Sequence, residues 1–491
     1  SMLPRLKPEN YYDLVIEVAI VRPGPIQGDM VHPYLRRRAG LEEVDYHKSE
    51  LKAVLEKTLG VPLFQEQAMQ IAMVAAKFTA NEADALRRAM ATFKSKGKVN
   101  AFETKLIEGM VQNGYSREFA QRCYKQIEGF GNYGFPESHA ASFALLVYIS
   151  AWIKHHYPDI FAASLLNSQP MGFYAPAQIV GDAVKHGIEV RPVDINHSFW
   201  DNSLEPNGNR HALRLGFRQA RGVSKEEVKK LVDHRSEGYR QVADLTRRAR
   251  LHPTTVTKLA EADAFRSIEL DRRQALWAVM ALEQDVLPLF SDLEDTTPAA
   301  EAEVALPLMP VSQHVIEDYR ALALSLKQHP VAFLRSRLHG RGILQSSDLA
   351  GATPGRMVVV AGLVLVRQRP GSASGTVFVT LEDESGIVNL IAWPKVFAQY
   401  RGIVMGAKMI ACRGKLQREG DAVHQVTHVV ADKLYDLTGM LDSLQEQAVP
   451  PMADAAKNFT GLIAPADEVL HPHAEHRSSS RGMNLRSRDF H

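Results

Sequence analysis

Apolar residues recur at helical spacing between about Leu51 and Asn167, in runs such as EQAMQIAMVAAKF and SFALLVYISAWIKHHYP. This periodicity predicts a succession of α-helices in which one stripe of each helix faces a core. Thr79 precedes Glu82 by three residues, which is the spacing of a capping box, so we expect a helix to begin there. The first part of the chain is therefore predicted to be all-α.

The pattern changes between about Arg191 and Phe265. A Gly-Val-Ser turn at Gly222 to Ser224 precedes a helical run whose first residues suit a helix N-terminus, and a second helical pair follows at a similar scale. We therefore predict two hairpin-joined helix pairs, whose turns can present backbone N–H groups to a phosphate. Cations cluster around the first turn: Arg210, Arg214, Arg218, Arg221, Lys225, Lys229 and Lys230.

Runs rich in β-branched residues dominate from about Arg356 to Leu434, with turn signals at EDESG and REGD. Five short strands with a glycine in the first predict a small Greek-key barrel of the OB type. The acidic, Pro-bearing stretch SDLEDTTPAAEAEVALPLMP before it is predicted to be a linker. From about Gln445 the periodicity is lost, and we expect a basic, Ser-rich tail that is disordered until bound.

Composition restricts the class of protein. The 491 residues predict roughly three to four domains, and the net charge of +2 means that any nucleic-acid surface must come from local clustering. The two cysteines, Cys123 and Cys412, have no ligand-like spacing, which favours a reducing compartment such as the cytoplasm. The longest apolar run, Ala140 to Ile153, is too short for a membrane span, and no secretory signal peptide is expected at the start.

The stretch LRRAMATFKSKGK, Leu86 to Lys98, concentrates five cations with no anion between them. Such charges repel one another, and a polyanion would relieve the repulsion. Adjacent residues lie about 100° apart on a helix, so Arg87 and Arg88 would approach a ligand from two directions. The alternative is that the two arginines form an ordinary solvated helix face.

Five strings occur in a fixed order along the chain: VRPGP, FQEQAMQIA, LRRAM, NYGF and SHAASFALLVYISAWIKHHYP. In order and spacing they resemble the bacterial C-family DNA polymerases, the family of the DNA polymerase III alpha subunit. The strings FPESHAASFA and SRDFH resemble the error-prone, damage-induced branch of that family. The resemblance implies a multidomain α+β protein, with all-α fingers and a tandem helix-hairpin-helix region followed by a small OB-fold β-barrel.

The resemblance also implies domain boundaries. It suggests a palm/fingers junction at 1–20, fingers at 21–195, a DNA- and clamp-binding helix-hairpin-helix region at 196–290, a linker with a helical segment at 291–350, an OB domain at 351–440 and a tail at 441–491. In these terms the chain resembles the C-terminal half of the enzyme. We expect the palm, with its catalytic aspartates, to lie before the first residue.

Roles for particular residues follow from the resemblance. In the family, the LRRAM arginines contact the triphosphate of the incoming deoxynucleotide. The implied sets are, for the nucleotide, Arg87, Arg88, Lys94, Lys96, Lys98 and His139; for DNA, Arg218, Arg221, Gly222, Ser224 and Lys225; and for the sliding clamp, Gln284, Leu287, Leu289 and Phe290 in QDVLPLF. Residue type alone favours a core histidine at position 139, satisfied by a backbone carbonyl, over an active-site role for His139, and QDVLPLF could be the end of a helix.

The polymerase reaction uses two Mg²⁺ ions held by paired carboxylates, and no apolar-flanked Asp-x-Asp occurs in this chain. We therefore expect the Mg²⁺ ligands to lie outside it, and the chain alone to be inactive. The implied partners are primer-template DNA, dNTP, the sliding clamp, and Y-family-like and RecA-like accessory mutagenesis proteins.

The alternative function is a non-catalytic scaffold that joins the clamp, DNA and accessory proteins. The barrel could bind single-stranded DNA or dock a protein. A metal site at His471, His473 and His476 is a weaker possibility. An RNA-binding protein built on the barrel would leave the first 200 residues unexplained.

Overall fold

The structure is a computed structural model that describes residues 3–21, 31–90, 99–129, 135–172, 174–282, 306–370, 373–419, 426–446 and 488–490. The chain divides into two compact units, Ser1–His155 and His156–His491. The clamp peptide at 284–290 and Lys94, Lys96 and Lys98 lie outside the described residues.

The described residues of the first unit form helices joined by turns and loops, as the periodicity predicts. Its helices are α1 (Leu3–Leu6), α2 (Tyr11–Ile20), α3 (Val31–Arg38), α4 (Ser49–Leu55), α5 (Gln65–Ala76), α6 (Ala80–Met90), α7 (Val99–Gln112), α8 (Arg117–Gly129) and α9 (Glu137–His156), the last of which ends one residue inside the second unit. Their apolar stripes meet in one core that includes Phe64, Ile71 and Leu106. Burial of these side chains holds the helices together.

Helix α6 begins as the capping-box spacing predicts. The Thr79 amide donates to Glu82 Oε2 at 3.0 Å, and the Glu82 amide donates to Thr79 Oγ1 at 3.4 Å. Glu82 also accepts a hydrogen bond from Lys105 of α7. This contact joins the start of α6 to α7, and so helps to position the last turn of α6.

The second unit begins with helices and a small sheet, most of which pack around one core. The helices are α10 (Pro158–Asn167), α11 (Pro176–Lys185), α12 (Lys225–Asp233), α13 (Val242–Arg248), α14 (Pro253–Glu261), α15 (Arg272–Leu282), α16 (Val311–Leu322) and α17 (Arg335–His339). Short 3₁₀ turns cover Phe217–Gln219, Arg266–Ile268, Pro330–Leu334 and Ser347–Ala350. One predicted helix pair is present, with α13 joined to α14 by residues 249–252. Helix α12 follows the Gly-Val-Ser turn, but the element before that turn is the short 3₁₀ turn Phe217–Gln219 and not a helix.

The sequence patterns did not predict the small sheet. Strands β1 (Val190–Arg191), β2 (Ser203–Asn207) and β3 (Arg210–Arg214) are ordered β1-β3-β2, with β1 parallel and β2 antiparallel to β3. Arg214 on β3 is buried, and its Nε donates to Glu205 Oε1 at 2.7 Å. Arg214, one of the clustered cations, therefore stabilises the three-stranded sheet.

The barrel is closed by five strands. These are β4 (Met357–Gln368), β5 (Val377–Asp383), β6 (Gly386–Ala392), β7 (Met409–Glu419) and β8 (Val426–Asp436), with α18 (Pro394–Gln399) and α19 (Arg401–Gly406) between β6 and β7. The order β5-β6-β8-β7-β4 returns to β5 through the β4–β5 pairing. A Cβ on Gly362 of β4 would lie 2.6 Å from the Glu382 carbonyl oxygen, so glycine is required where β4 passes from β7 to β5.

Two elements follow the barrel in the described part of the chain. Helix α20 (Thr438–Glu446) crosses the predicted boundary at residue 440, because Leu441 and Leu444 are buried in a core shared with Ile316 and Met409. Strand β9 (Arg488–Phe490) pairs in parallel with residues 366–368 of β4. The residues between α20 and β9 lie outside the described part of the chain.

A buried ion pair joins α15 to α16. Arg272 is 1% exposed, and its Nη2 lies 2.5 Å from Oδ1 of Asp318. Arg272 also donates to the carbonyl oxygens of Glu261 at 2.8 Å and His314 at 3.0 Å. Asp318 accepts a second cation, Lys327, whose Nζ lies 2.9 Å from Oδ2. The buried charges are therefore paired and hydrogen-bonded, as burial requires.

We expect Arg272→Ala to lower the free energy of unfolding by about 3–5 kcal/mol, because it leaves the buried Asp318 carboxylate with fewer partners. Urea unfolding followed by circular dichroism measures the change. Arg247→Ala is the matched control, since this arginine is 79% exposed in its pair with Asp244 and should contribute less than about 1 kcal/mol. Equal losses in the two variants would contradict the structural role of Arg272.

We expect the carboxyl group of Glu82 to titrate far below its ordinary range. The hydrogen bond from Lys105, with those from Thr79, lowers its pKa to about 2. A depressed pKa contributes stability above the ordinary value of 4.5 that is lost as pH falls through the folded value. Lys105→Met should raise the pKa of Glu82 towards 4.5, as measured by carbon NMR of glutamate-labelled chain with Glu82→Gln for assignment. Lys125→Met, on exposed α8 surface, should leave the midpoint unchanged.

Candidate nucleic-acid interface

Arg87 and Arg88 lie in the last turn of α6 and share one carboxylate. Nε and Nη2 of Arg87 donate to Oδ1 of Asp84 at 3.0 and 2.9 Å, and Nη2 of Arg88 lies 2.8 Å from Oδ2 of the same residue. The pairs span three and four residues along the helix, the spacings at which side chains meet. Two guanidinium groups facing one carboxylate leave a net positive charge at this end of α6.

Both arginines remain accessible to solvent. The side chain of Arg87 is 41% exposed and that of Arg88 is 69% exposed. Ion pairs of this kind on a surface contribute at most about 1 kcal/mol, so a stronger anion can displace Asp84. Asp84 was not singled out from the sequence, although its position three and four residues before the arginines is the available signal.

His139 lines a cleft of about 370 Å³ at the start of α9, together with Pro136, Ser138 and Ser142. Its ring is exposed and lies between two phenylalanines, with centroids 5.0 Å from Phe135 and 4.6 Å from Phe143. His139 is therefore not a core histidine. Among the described contacts, none joins His139 to Arg87 or Arg88.

The turn before α12 has the geometry of a backbone-binding hairpin. Gly222 has φ +79°, in the left-handed region, and a Cβ there would meet only the Lys258 side chain at 3.5 Å, so conformation and not space requires glycine. Ser224 caps α12 by accepting the Glu227 amide at 3.2 Å. Lys225 begins the helix and is exposed. The free amides of this helix N-terminus and the lysine can face a phosphate.

The neighbouring arginines have internal partners. Arg218 is 18% exposed, and its Nη1 donates to the Asn167 carbonyl at 2.6 Å and to Asp201 at 2.7 Å. Arg221 donates from Nη1 to the Arg320 carbonyl at 3.2 Å. The structure therefore uses Arg218 mainly to hold its own fold, while Gly222, Ser224 and Lys225 form the exposed part of the turn.

The outer face of the barrel carries polar and aromatic groups on β5 and β6. Phe378 pairs with Ile391, and Thr380 donates to Asn389 at 3.0 Å. Trp393 directly follows β6 and is 53% exposed. Aromatic rings on such a face can stack on bases. The sequence analysis did not single out Trp393, whose signal is its place at the end of a strand.

No group of metal-ligating side chains is found among the described residues. Both cysteines are buried, and burial raises the pKa of Cys123 to about 12 and that of Cys412 further, so both remain thiols. Within the described ranges, no helix has the length and apolar character needed to cross a membrane.

Three segments match known families. Residues 1–114 match the bacterial DNA polymerase III alpha subunit finger domain, residues 187–275 the helix-hairpin-helix motif, and residues 358–437 the OB-fold nucleic acid binding domain. These matches and the described helices and barrel confirm the predicted multidomain fold class.

Similar proteins cover nearly the whole chain. It is 56% identical over 512 residues to error-prone DNA polymerase 1 of Rhizobium meliloti (strain 1021), a match that covers 99% of this chain and 45% of that protein. It is 55% identical over 512 residues to the error-prone DNA polymerase of Sinorhizobium medicae (strain WSM419), with the same coverage. The enzyme of that name from Brucella abortus biovar 1 (strain 9-941) is 52% identical over 505 residues, which are 100% of this chain and 45% of that protein.

The chain thus spans about 45% of the length of these curated relatives. Over the residues that the matches cover, it is similar to error-prone DNA polymerases and, in residues 1–114, to the DNA polymerase III alpha subunit, which is consistent with a fragment of a bacterial C-family DNA polymerase.

Proposed function

We propose that the chain forms the nucleotide-binding and DNA-binding part of an error-prone DNA polymerase that acts in translesion synthesis. The observation that carries the nucleotide role is the pair of exposed guanidinium groups that share Asp84, inside the segment that matches the finger domain. A triphosphate offers several anionic oxygens where Asp84 offers one carboxylate. Guanidinium groups suit phosphate because they donate bidentate, charge-assisted hydrogen bonds.

Other residues contribute to the same nucleotide site in this proposal. His139, exposed beside its cleft, supplies a polar ring near the nucleotide, and Lys94, Lys96 and Lys98 supply further charge. The last three lie outside the described residues. In this proposal Arg87 and Arg88 contribute most of the binding free energy for the nucleotide.

The helix-hairpin-helix turn grips the DNA backbone in this proposal. Gly222 and Ser224 shape a turn that presents amides, and Lys225 adds a cation beside it. Contacts to phosphates position a protein without reading sequence, which suits a polymerase that must accept any template. Arg221 lies at the edge of the same turn, and Arg218, a few residues before it, donates to the Asn167 carbonyl and to Asp201.

Catalysis by the whole polymerase is also part of the proposal. The reaction requires Mg²⁺, and we propose that paired carboxylates outside this chain hold it, because the sequence has no apolar-flanked Asp-x-Asp. We propose the sliding clamp, through QDVLPLF, and Y-family-like and RecA-like accessory proteins as partners. The clamp peptide lies outside the described residues.

We expect Arg88→Ala, in a full-length polymerase that carries this segment, to lower kcat/KM for dNTP by roughly 10- to 100-fold. The lost hydrogen bonds to a charged group contribute about 1.5–3 kcal/mol. Steady-state primer extension measures the change. Asp84→Asn should leave KM for dNTP unchanged or lower it, because it removes the anion that competes for both arginines.

Arg117→Ala is the matched control for Arg88. Arg117 is 52% exposed on α8 and paired with Glu108, so it is the same kind of surface arginine in another place. It should leave kcat/KM unchanged. An unchanged KM in Arg88→Ala and in Arg87→Ala would remove these residues from the nucleotide site and favour the scaffold function.

We expect Gly222→Ala to weaken binding of duplex DNA by about tenfold, because a left-handed backbone costs an L-residue about 1–2 kcal/mol and the turn must change shape. Fluorescence anisotropy with the 491-residue chain at one salt concentration measures the affinity. Gly181→Ala on α11 is the control: with open space and an ordinary helical backbone, it should bind normally and be slightly more stable. Normal DNA binding by Gly222→Ala would contradict the role of the turn.

A further inference from the structure

A groove of about 370 Å³ lies between α12 and the segment that contains Phe199 and Trp200. These two aromatic residues and Val228 and Val232 of α12 supply its apolar lining. The groove belongs to the same helix whose first residue, Lys225, follows the hairpin turn. It is therefore next to the proposed contact with DNA.

Phe199 presents a fixed ring to this groove. Its side chain is 50% exposed, and the Arg235 guanidinium carbon lies 5.2 Å from the ring centroid. Arg235 also donates from Nη2 to the Ser198 carbonyl, and the Phe199 carbonyl accepts the Phe217 amide at 2.8 Å. The cation–π contact and the backbone hydrogen bond hold the ring in place. A ligand that binds it therefore loses little binding free energy to the ordering of this side chain.

Two lysines border the apolar part of the groove. Lys225 and Lys229 are four residues apart, which puts both side chains on one stripe of α12 next to the stripe of Val228 and Val232. Both lysines are exposed, and neither forms an ion pair with any described carboxylate. The groove thus combines an aromatic ring with two cations that are available to an anion.

The opposite side of the lysine stripe is acidic. Glu226 and Asp233 also line the groove, and on a helix they fall beyond the lysines, away from the valines. Their charges repel phosphates that would continue past the lysines. The site therefore suits one anionic group and not the path of a long phosphate backbone.

We propose that this groove binds a single unpaired nucleotide of DNA, with its base stacked on Phe199 and its phosphate held by Lys225 and Lys229. An aromatic face, an apolar wall and adjacent cations are the chemistry that binds single-stranded nucleic acid without reading its sequence. The inference rests on the proposed function, because the hairpin turn must hold the DNA strand from which the nucleotide is displaced.

Photocross-linking tests the location. An oligothymidylate that carries one iodouracil is irradiated with the 491-residue chain, and cross-linked peptides are identified by mass spectrometry. We expect cross-linking at Phe199 that is lost in Phe199→Ala and retained in Phe199→Trp. Trp393→Ala controls for single strands bound on the barrel, and should leave the cross-link at Phe199 in place.

Anisotropy titrations test the energetics. Phe199→Ala should weaken binding of the single strand by roughly 5- to 100-fold, the range for loss of one stacked base, and leave duplex binding unchanged. Because Phe199 is half exposed, this variant should keep the unfolding midpoint of the parent chain. Lys225→Gln combined with Lys229→Gln should reduce the dependence of single-strand affinity on salt.

The outcomes separate the two proposals. Failure of the chain to bind either duplex or single strand overturns the proposed function. Normal duplex binding, with no cross-link at Phe199 and no loss in Phe199→Ala, overturns only the nucleotide groove. A third outcome is a cross-link at Phe199 with an unchanged salt dependence in the double lysine variant. The groove would then bind an apolar group but not a phosphate, which would also overturn the proposal.

Discussion

The second compact unit depends on the buried ion pair between Arg272 and Asp318. These residues lie on α15 and α16, which are separated in the sequence by a stretch outside the described residues. Helix α16 contributes Leu322 to the core of the hairpin region and Ile316 to the core beside the barrel. The pair therefore holds a helix that two cores share. Two charges so deeply buried are tolerated because carbonyl oxygens and Lys327 complete their hydrogen bonds.

The number of partners that each cation has separates the structural arginines from those that we propose bind a ligand. Arg214 and Arg218 are enclosed and have acceptors within the fold, so an outside anion has little to offer them. Arg87 and Arg88 share one carboxylate on an exposed helix end. A cation that the fold only partly neutralises can bind an anionic ligand with little loss of free energy, because the surface ion pair that the ligand replaces is weak. In this chain, partial neutralisation marks the candidate sites better than the density of cations does.

Much of the fold was predictable because its signals are local. The helical periodicity, the capping box at Thr79 and the turn at Gly222 each lie within a few residues, and the structure has all three. The three-stranded sheet and β9 were missed because short strands depend on partners that are distant in the sequence. Helix α20 was missed because its apolar side chains pack on α16 and β7, which the sequence near residue 440 does not reveal.

The sequence by itself determined the class of the protein: helices first, then hairpin-joined helices, then a barrel, with the ordered strings of a polymerase family. These features are encoded in residue types at short spacings. Only the tertiary structure decided which of the described cations have internal partners, that Asp84 serves two arginines, that Arg218 is internal, and that Phe199 lines one groove with Lys225 and Lys229. Such facts depend on burial and on contacts between distant segments, and both exist only once the chain has folded.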